Sequence, residues 1–159
     1  MSTTEKRAWT EVILWSLALA FVWMRFTTGW EFAGQSFGLQ VVEQSPGQVF
    51  ATYLGTGLIV AALQLGLRAA FRSRGEDLEQ RDEREQLIEL RSNQIGYWTG
   101  VGAINVIIVH VIATRAFAFD RDMPLDLTSM TGVVFALLAA LILQEVVRNG
   151  ATLLLHRIS

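Results

Sequence analysis

"GYWTGVGAINVIIVHVIATRAFAF", Gly96 to Phe119, is a block of 24 residues whose strongly polar members are Asn105, His110 and Arg115. A helix rises about 1.5 Å per residue and needs roughly 20 residues to cross the hydrocarbon core of a bilayer. The block has that length and that character. Three others share it, over about Glu11–Trp30 ("EVILWSLALAFVWMRFTTGW"), Val49–Phe71 and Leu127–Val147. The expected fold is all-α: a polytopic membrane protein, one domain over residues 1–159 with four transmembrane helices. Lys6 and Arg7 before the first block, with Ala18 to Ala20 inside it, imitate a secretory signal and its cleavage site. The apolar run ahead of that site is short, and Phe21 and Trp23 continue past it, so a retained span is expected.

Composition agrees. The 159 residues are 52% hydrophobic, include five Trp and have a positive mean hydropathy, all high for a soluble domain of this length. A formal charge of −2, with no basic stripe, gives no reason to expect a nucleic-acid partner. Without cysteine there are no disulfides and no thiolate metal sites.

Charge asymmetry orients the four spans. Arg68, Arg72, Arg74, Arg81, Arg84 and Arg91, six of the thirteen basic residues, surround the segment between the second and third spans. Lys6 and Arg7 lie before the first, and Arg148 and Arg157 after the fourth, whereas Glu31–Gln48 has no Lys or Arg. The positive-inside rule then expects both termini and the central linker in the cytoplasm. Trp30, Phe32 and Phe37 on one side, and Trp9, Tyr97 and Trp98 on the other, suit interfacial aromatic belts. "EQSPGQ", Glu43–Gln48, is expected as a turn in which Pro46 and Gly47 break the chain. The preceding "WEFAGQSFGLQVVE" is an apolar-rich loop or a short interfacial element.

The linker over residues 74–95 is rich in helix formers and has no proline, so a cytoplasmic helical extension running into the third span is expected. Seven acidic residues lie between Glu76 and Glu89, and "DERE", Asp82, Glu83, Arg84 and Glu85, is a candidate docking site for a partner. "RDEREQLIELRSNQIGYW", Arg81 to Trp98, resembles the acidic segment before the third span of some uncharacterised small bacterial membrane proteins, a four-helix domain of unknown function. That resemblance implies a bacterial inner-membrane location and transfers no activity, cofactor or catalytic residue.

Ionisable groups inside a span are functional candidates, because each costs roughly 2.5–3.5 kcal/mol at a helix centre on insertion scales. His110 lies near the middle of the third span. Gly96, Gly100, Ala103, Ile107, His110 and Thr114 recur at spacings of three and four, so they share one face. Gly96, Gly100 and Ala103 make that face a packing seam, which points His110 into the bundle. Three roles are open to His110: a neutral imidazole bonded across an interface to Gln64 or Gln144, a proton relay, or an axial ligand to a metal, haem or pigment. A bis-histidine haem is not expected, since the other histidine, His156, belongs to the opposite end of the bundle. A structural zinc site lacks ligands.

Arg25 and Arg115 lie toward the outer ends of their spans, where long side chains snorkel to the interface and Glu31, Asp120, Asp122 and Asp126 are available as counter-charges. The alternative is a positively lined vestibule for an anionic headgroup or substrate, with Arg25 the stronger candidate. Gln64 and Asn105 occupy similar depths, and an amide pair between them would join the second and third spans. Gln144, Glu145 and Arg148 form a polar cluster at the inner boundary that Glu11 could join. Gly150 is an expected bend beyond the fourth span.

No GxSxG, HExxH, phosphate-binding loop or dinucleotide fingerprint occurs in the chain. An enzyme is not expected. A non-enzymatic membrane protein acting by association is, as a homo-oligomer or as an accessory subunit of a larger complex. Its partners would be lipid, other membrane subunits or itself, and His110 is the one position offering a cofactor, a pigment or haem. An oligomeric channel or proton-linked transporter using His110 is the second possibility.

Overall fold

The computed structural model describes residues 3–28, 40–72, 83–116, 127 and 129–158. They form four helices: α1 (Thr3–Phe26), α2 (Pro46–Arg72), α3 (Glu83–Ala116) and α4 (Met130–Ile158). Each is long and apolar enough to cross a membrane. Two short strands, β1 (Thr27–Thr28) and β2 (Gln40–Val41), pair antiparallel between α1 and α2.

The helix ends have local causes. Pro46 is the first residue of α2, not a break before it. Its missing N–H is harmless there, and its fixed φ suits the first turn. Ser45 and Gln48 make half of a capping box: Gln48 Oε1 accepts from the Ser45 N–H and hydroxyl (both 3.1 Å), while the Gln48 N–H bonds to the Ser45 carbonyl (2.9 Å). Ser129 caps α4, its Oγ accepting the Gly132 N–H at 3.0 Å. The first span, expected to reach Trp30, stops as a helix at Phe26. Thr27 and Thr28 are β-branched and turn extended to meet Gln40 and Val41. The Phe26 carbonyl takes the Val42 N–H (2.9 Å) in place of a helical donor. At its other end α1 gains polar turns ahead of Glu11. No break occurs at Gly150, and α4 stays helical to Ile158.

The central element is α4. It packs along α1 on one side and α3 on the other, and both run antiparallel to it. Against α1 the core is Val22 and Phe26 on Phe135, Leu138 and Ile142, joined by Val49 of α2. Trp23 meets Phe135 edge-on, with ring centroids 5.3 Å apart and planes at 71°, the geometry that aligns ring edge with ring face. Against α3 the contact is a four-residue ladder of buried Ile88, Ser92, Gly96 and Gly100. The second helix is peripheral. Among its described side chains the buried ones are Val49, Thr52 and Thr56, all in its first half. Two ends of the bundle result: a hairpin end, where α1 runs into β1, and a charged end, where α1 begins and α4 finishes.

Candidate functional site

The densest polar constellation lies at the charged end. On α1, Arg7 and Glu11 stand one turn apart, and Arg7 Nε donates to Glu11 Oε1 at 2.9 Å. On α4, Arg148 reaches back one turn to Glu145 at 2.6 Å and across to Glu11 Oε2 at 3.5 Å. Glu11 is the shared member, with a side chain only 10% exposed, between two arginines that remain about a third exposed at 29% and 32%. A carboxylate buried to that degree requires such partners, since an unpaired charge there would forfeit its hydration. Asn149 Nδ2 donates to the Glu145 carbonyl (2.9 Å) and Thr4 Oγ1 to Glu85 Oε1 of α3 (3.1 Å). Three helices are thereby tied at one end by charge and hydrogen bonds. They enclose an open cleft of about 270 Å³, with Arg7, Glu11, Glu85, Ser92 and Arg148 among its lining residues.

Just beyond this network lies the α3–α4 seam. A Cβ placed on Gly96 would stand 2.9 Å from Arg148 Cβ, and one on Gly100 would collide with the Gln144 amide. Gly96 and Gly100 are therefore where α4 comes closest. Ala103, Ile107, His110 and Thr114 continue the same face half-buried, while Val106, Ile108, Val109 and Ile112 point outward. The spacing that places His110 on the bundle side corresponds to this burial.

Other candidates are dispersed. His110 is ten residues beyond Gly100, about 15 Å along the axis at 1.5 Å per residue. Gln144, which packs on Gly100, is therefore remote from the imidazole. Among the described residues His110 has no side-chain partner, and its carbonyl accepts from Thr114 Oγ1 at 2.8 Å. Asn105 is exposed and donates to the Val101 carbonyl of its own helix (2.8 Å), so the expected amide pair with Gln64 does not form. Equal depth fixes only one coordinate, and the second and third helices are not packing neighbours in this bundle. Arg115 is exposed in the last turn of α3. Arg25 is exposed in the last turn of α1, where its carbonyl accepts from Gln44 Nε2 at 2.8 Å, and it lines an open groove of about 400 Å³ against α2. Glu83 and Arg84 are exposed and Glu85 half-buried on α3; Asp82 lies outside the described residues, as do residues 74–82 of the linker. No group of three His, Asp or Glu side chains among the described residues could hold a metal ion.

The sequence places Glu11, Gln144, Glu145 and Arg148 at a common level; the structure joins Glu11, Glu145 and Arg148, while Gln144 packs on Gly100 in the adjoining seam. Sequence reasoning missed Arg7, Ser92 and Asn149. Arg7 was legible, being four residues before Glu11, the spacing of a helical ion pair. The chain matches no protein-family model, no curated protein sequence and no solved structure.

Proposed function

We propose that the chain is a small non-enzymatic integral protein of a bacterial inner membrane that acts by association, as an accessory subunit of a larger membrane complex or as a homo-oligomer. In this arrangement both termini, the charged end and the start of α3 lie in the cytoplasm. The arginines around the α2–α3 connection and the lack of Lys and Arg from Glu31 to Gln48 support it. The acidic start of α3 then offers a docking surface on the cytoplasmic side.

The observation that carries association is α2. Among the described residues, a Cβ on Gly57 or Gly66 would meet nothing within 4 Å. Lipid tails cover aliphatic surface as well as another helix does, so exposed leucines on α2 argue nothing. Small residues differ: their use in a span is to let a second helix approach closely, since packing, not hydrophobicity, holds helices together in lipid. The Gly96–Gly100 pair does this within the chain, and the glycines of α2 have no such neighbour.

The test is native mass spectrometry of the protein extracted gently from its own membranes, with an absorption spectrum of the same sample. Association predicts a mass above one chain, either a multiple of 17.7 kDa or the sum with another protein. A lone chain across mild detergents overturns it. Visible absorption would add a pigment or haem, for which His110 is the candidate ligand. The second possibility, transport, draws on the half-buried position of His110 within α3. It predicts pH-dependent flux in proteoliposomes that His110→Ala abolishes, and unchanged flux in that variant removes it.

A further inference from the structure

The groove between α1 and α2 at the hairpin end combines an apolar channel with a cation, Arg25, that has no ion pair among the described residues. Arg25 and Phe21 of α1 face Gln48, Gly55 and Ile59 of α2 across about 400 Å³ of open space. The ion pairs among the described residues, formed by Arg7, Glu11, Glu145 and Arg148, are all at the other end, and none engages Arg25. The last turn of α1 favours a cation through its helix dipole but gives the guanidinium no carboxylate. Carbonyls at the end of α1 would attract it, but those of Arg25 and Phe26 are already bonded to Gln44 Nε2 and the Val42 N–H. The first turn of α2, which contributes Gln48, brings the positive end of a helix dipole to the same level. Thr52 and Thr56 donate their hydroxyl protons to the Gln48 and Thr52 carbonyls, so the α2 wall offers no acidic or strongly competing group.

Polarity changes with depth. Arg25 and Gln48 occupy the mouth; Phe21, one turn below Arg25, and Gly55 and Ile59 lie further in. From Gln48 to Ile59 is eleven residues, about 16 Å, roughly half of a hydrocarbon core of about 30 Å and hence one leaflet. A groove of that length with Phe21, Gly55 and Ile59 along it suits a single hydrocarbon chain below a headgroup at Arg25.

We propose that this groove binds an anionic phospholipid of the leaflet at the hairpin end, its phosphate on Arg25 and one acyl chain along Phe21, Gly55 and Ile59. The site rests on the membrane placement above and is independent of whether the chain associates. It makes Arg25 a recognition residue: guanidinium and phosphate match in charge and in the geometry of paired donors.

The full chain in detergent, stripped of lipid and titrated with phosphatidylglycerol or phosphatidylcholine, tests this by native mass spectrometry. Phosphatidylglycerol adducts should form at about tenfold lower lipid concentration than phosphatidylcholine adducts, a difference of about 1.4 kcal/mol. R25Q should erase that preference and R25K should keep most of it. G55L should lower retention of both lipids, because its side chain enters the groove. Nothing stands within 4 Å of a Cβ there, so its thermal midpoint should match the wild type and show that the fold is intact. Equal retention of the two lipids by the wild type overturns the proposal, as does wild-type retention of phosphatidylglycerol in R25Q or G55L. Binding of soluble glycerol phosphate at the same concentrations would overturn the lipid in favour of a free phosphate. The protein mass in the same spectra reports association separately, so failure of one leaves the other standing.

Discussion

Two glycine-bearing helices of this bundle are used in opposite ways. On α3, Gly96 and Gly100 are buried under α4, with Arg148 and Gln144 where their side chains would be. On α2, Gly55, Gly57 and Gly66 face open space. In sequence the two sets look alike, small residues within apolar runs. What separates them is the neighbour: α4 is straddled by α1 and α3, and α2 is held at the hairpin end by Val49 and its capping box. A small-residue face marks where a helix can be approached, and only the tertiary arrangement says whether the approach has taken place inside the chain.

That contrast can be broken by mutation. The largest effect is expected from Gly96→Leu. The nearest atom is Arg148 Cβ, fixed to the α4 backbone, so the helices must separate. Overpacking of this kind costs about 1–3 kcal/mol, read as a lower unfolding midpoint in detergent. Glu11→Ala comes next. It leaves Arg7 without its carboxylate and Arg148 with only Glu145, and because both arginines are partly exposed the loss should be about 1–2 kcal/mol. High salt should narrow the gap between variant and wild type; a gap indifferent to salt would mean the contribution is packing. Gly100→Ala should cost less, about 0.5 kcal/mol, since the obstructing Gln144 amide is the far end of a flexible side chain that can swing aside. Pairing it with Gln144→Ala should remove the penalty. Gly66→Leu should leave the midpoint of the single chain unchanged within about 0.5 kcal/mol while lowering any higher mass in native spectra. A destabilised single chain would show that α2 packs more fully than its open glycines indicate.

The four helices were legible because an apolar block of span length has few other uses. The face carrying Gly96, Gly100 and His110 was legible because a single helix obeys its own 3.6-residue period. Partner choice was not. Nothing in the composition of α4 marks it as the helix on which α1 and α3 both pack, because that depends on surfaces far apart in the chain, about 50 residues for α3 and more than a hundred for α1. The Gln64–Asn105 pair failed for the same reason, depth being readable and helix adjacency not. The β1–β2 pairing escaped notice because two-residue strands are too short to carry an alternation. At the charged end the ion-pair members were legible, since charge at a span boundary stands out against an apolar background.

The central position of α4 bears on how the chain is made. Its most apolar window, with mean hydropathy 2.1, exceeds that of every other helix, yet it is the last of the four to leave the ribosome. About a hundred residues separate Phe26 from Met130, and at ~5–20 residues per second α1 waits roughly 5–20 s for its main partner. Until then α1 and α2 share little beyond the hairpin end, and α3 has no helix against its glycines. Before α4 is made, the chain therefore holds helices that lack their main packing partner, and α4 supplies it to both sides of the bundle. A chain truncated before Met130 would lack Phe135, Leu138, Ile142, Glu145 and Arg148 together, and with them the core and the ion-pair network at a single stroke.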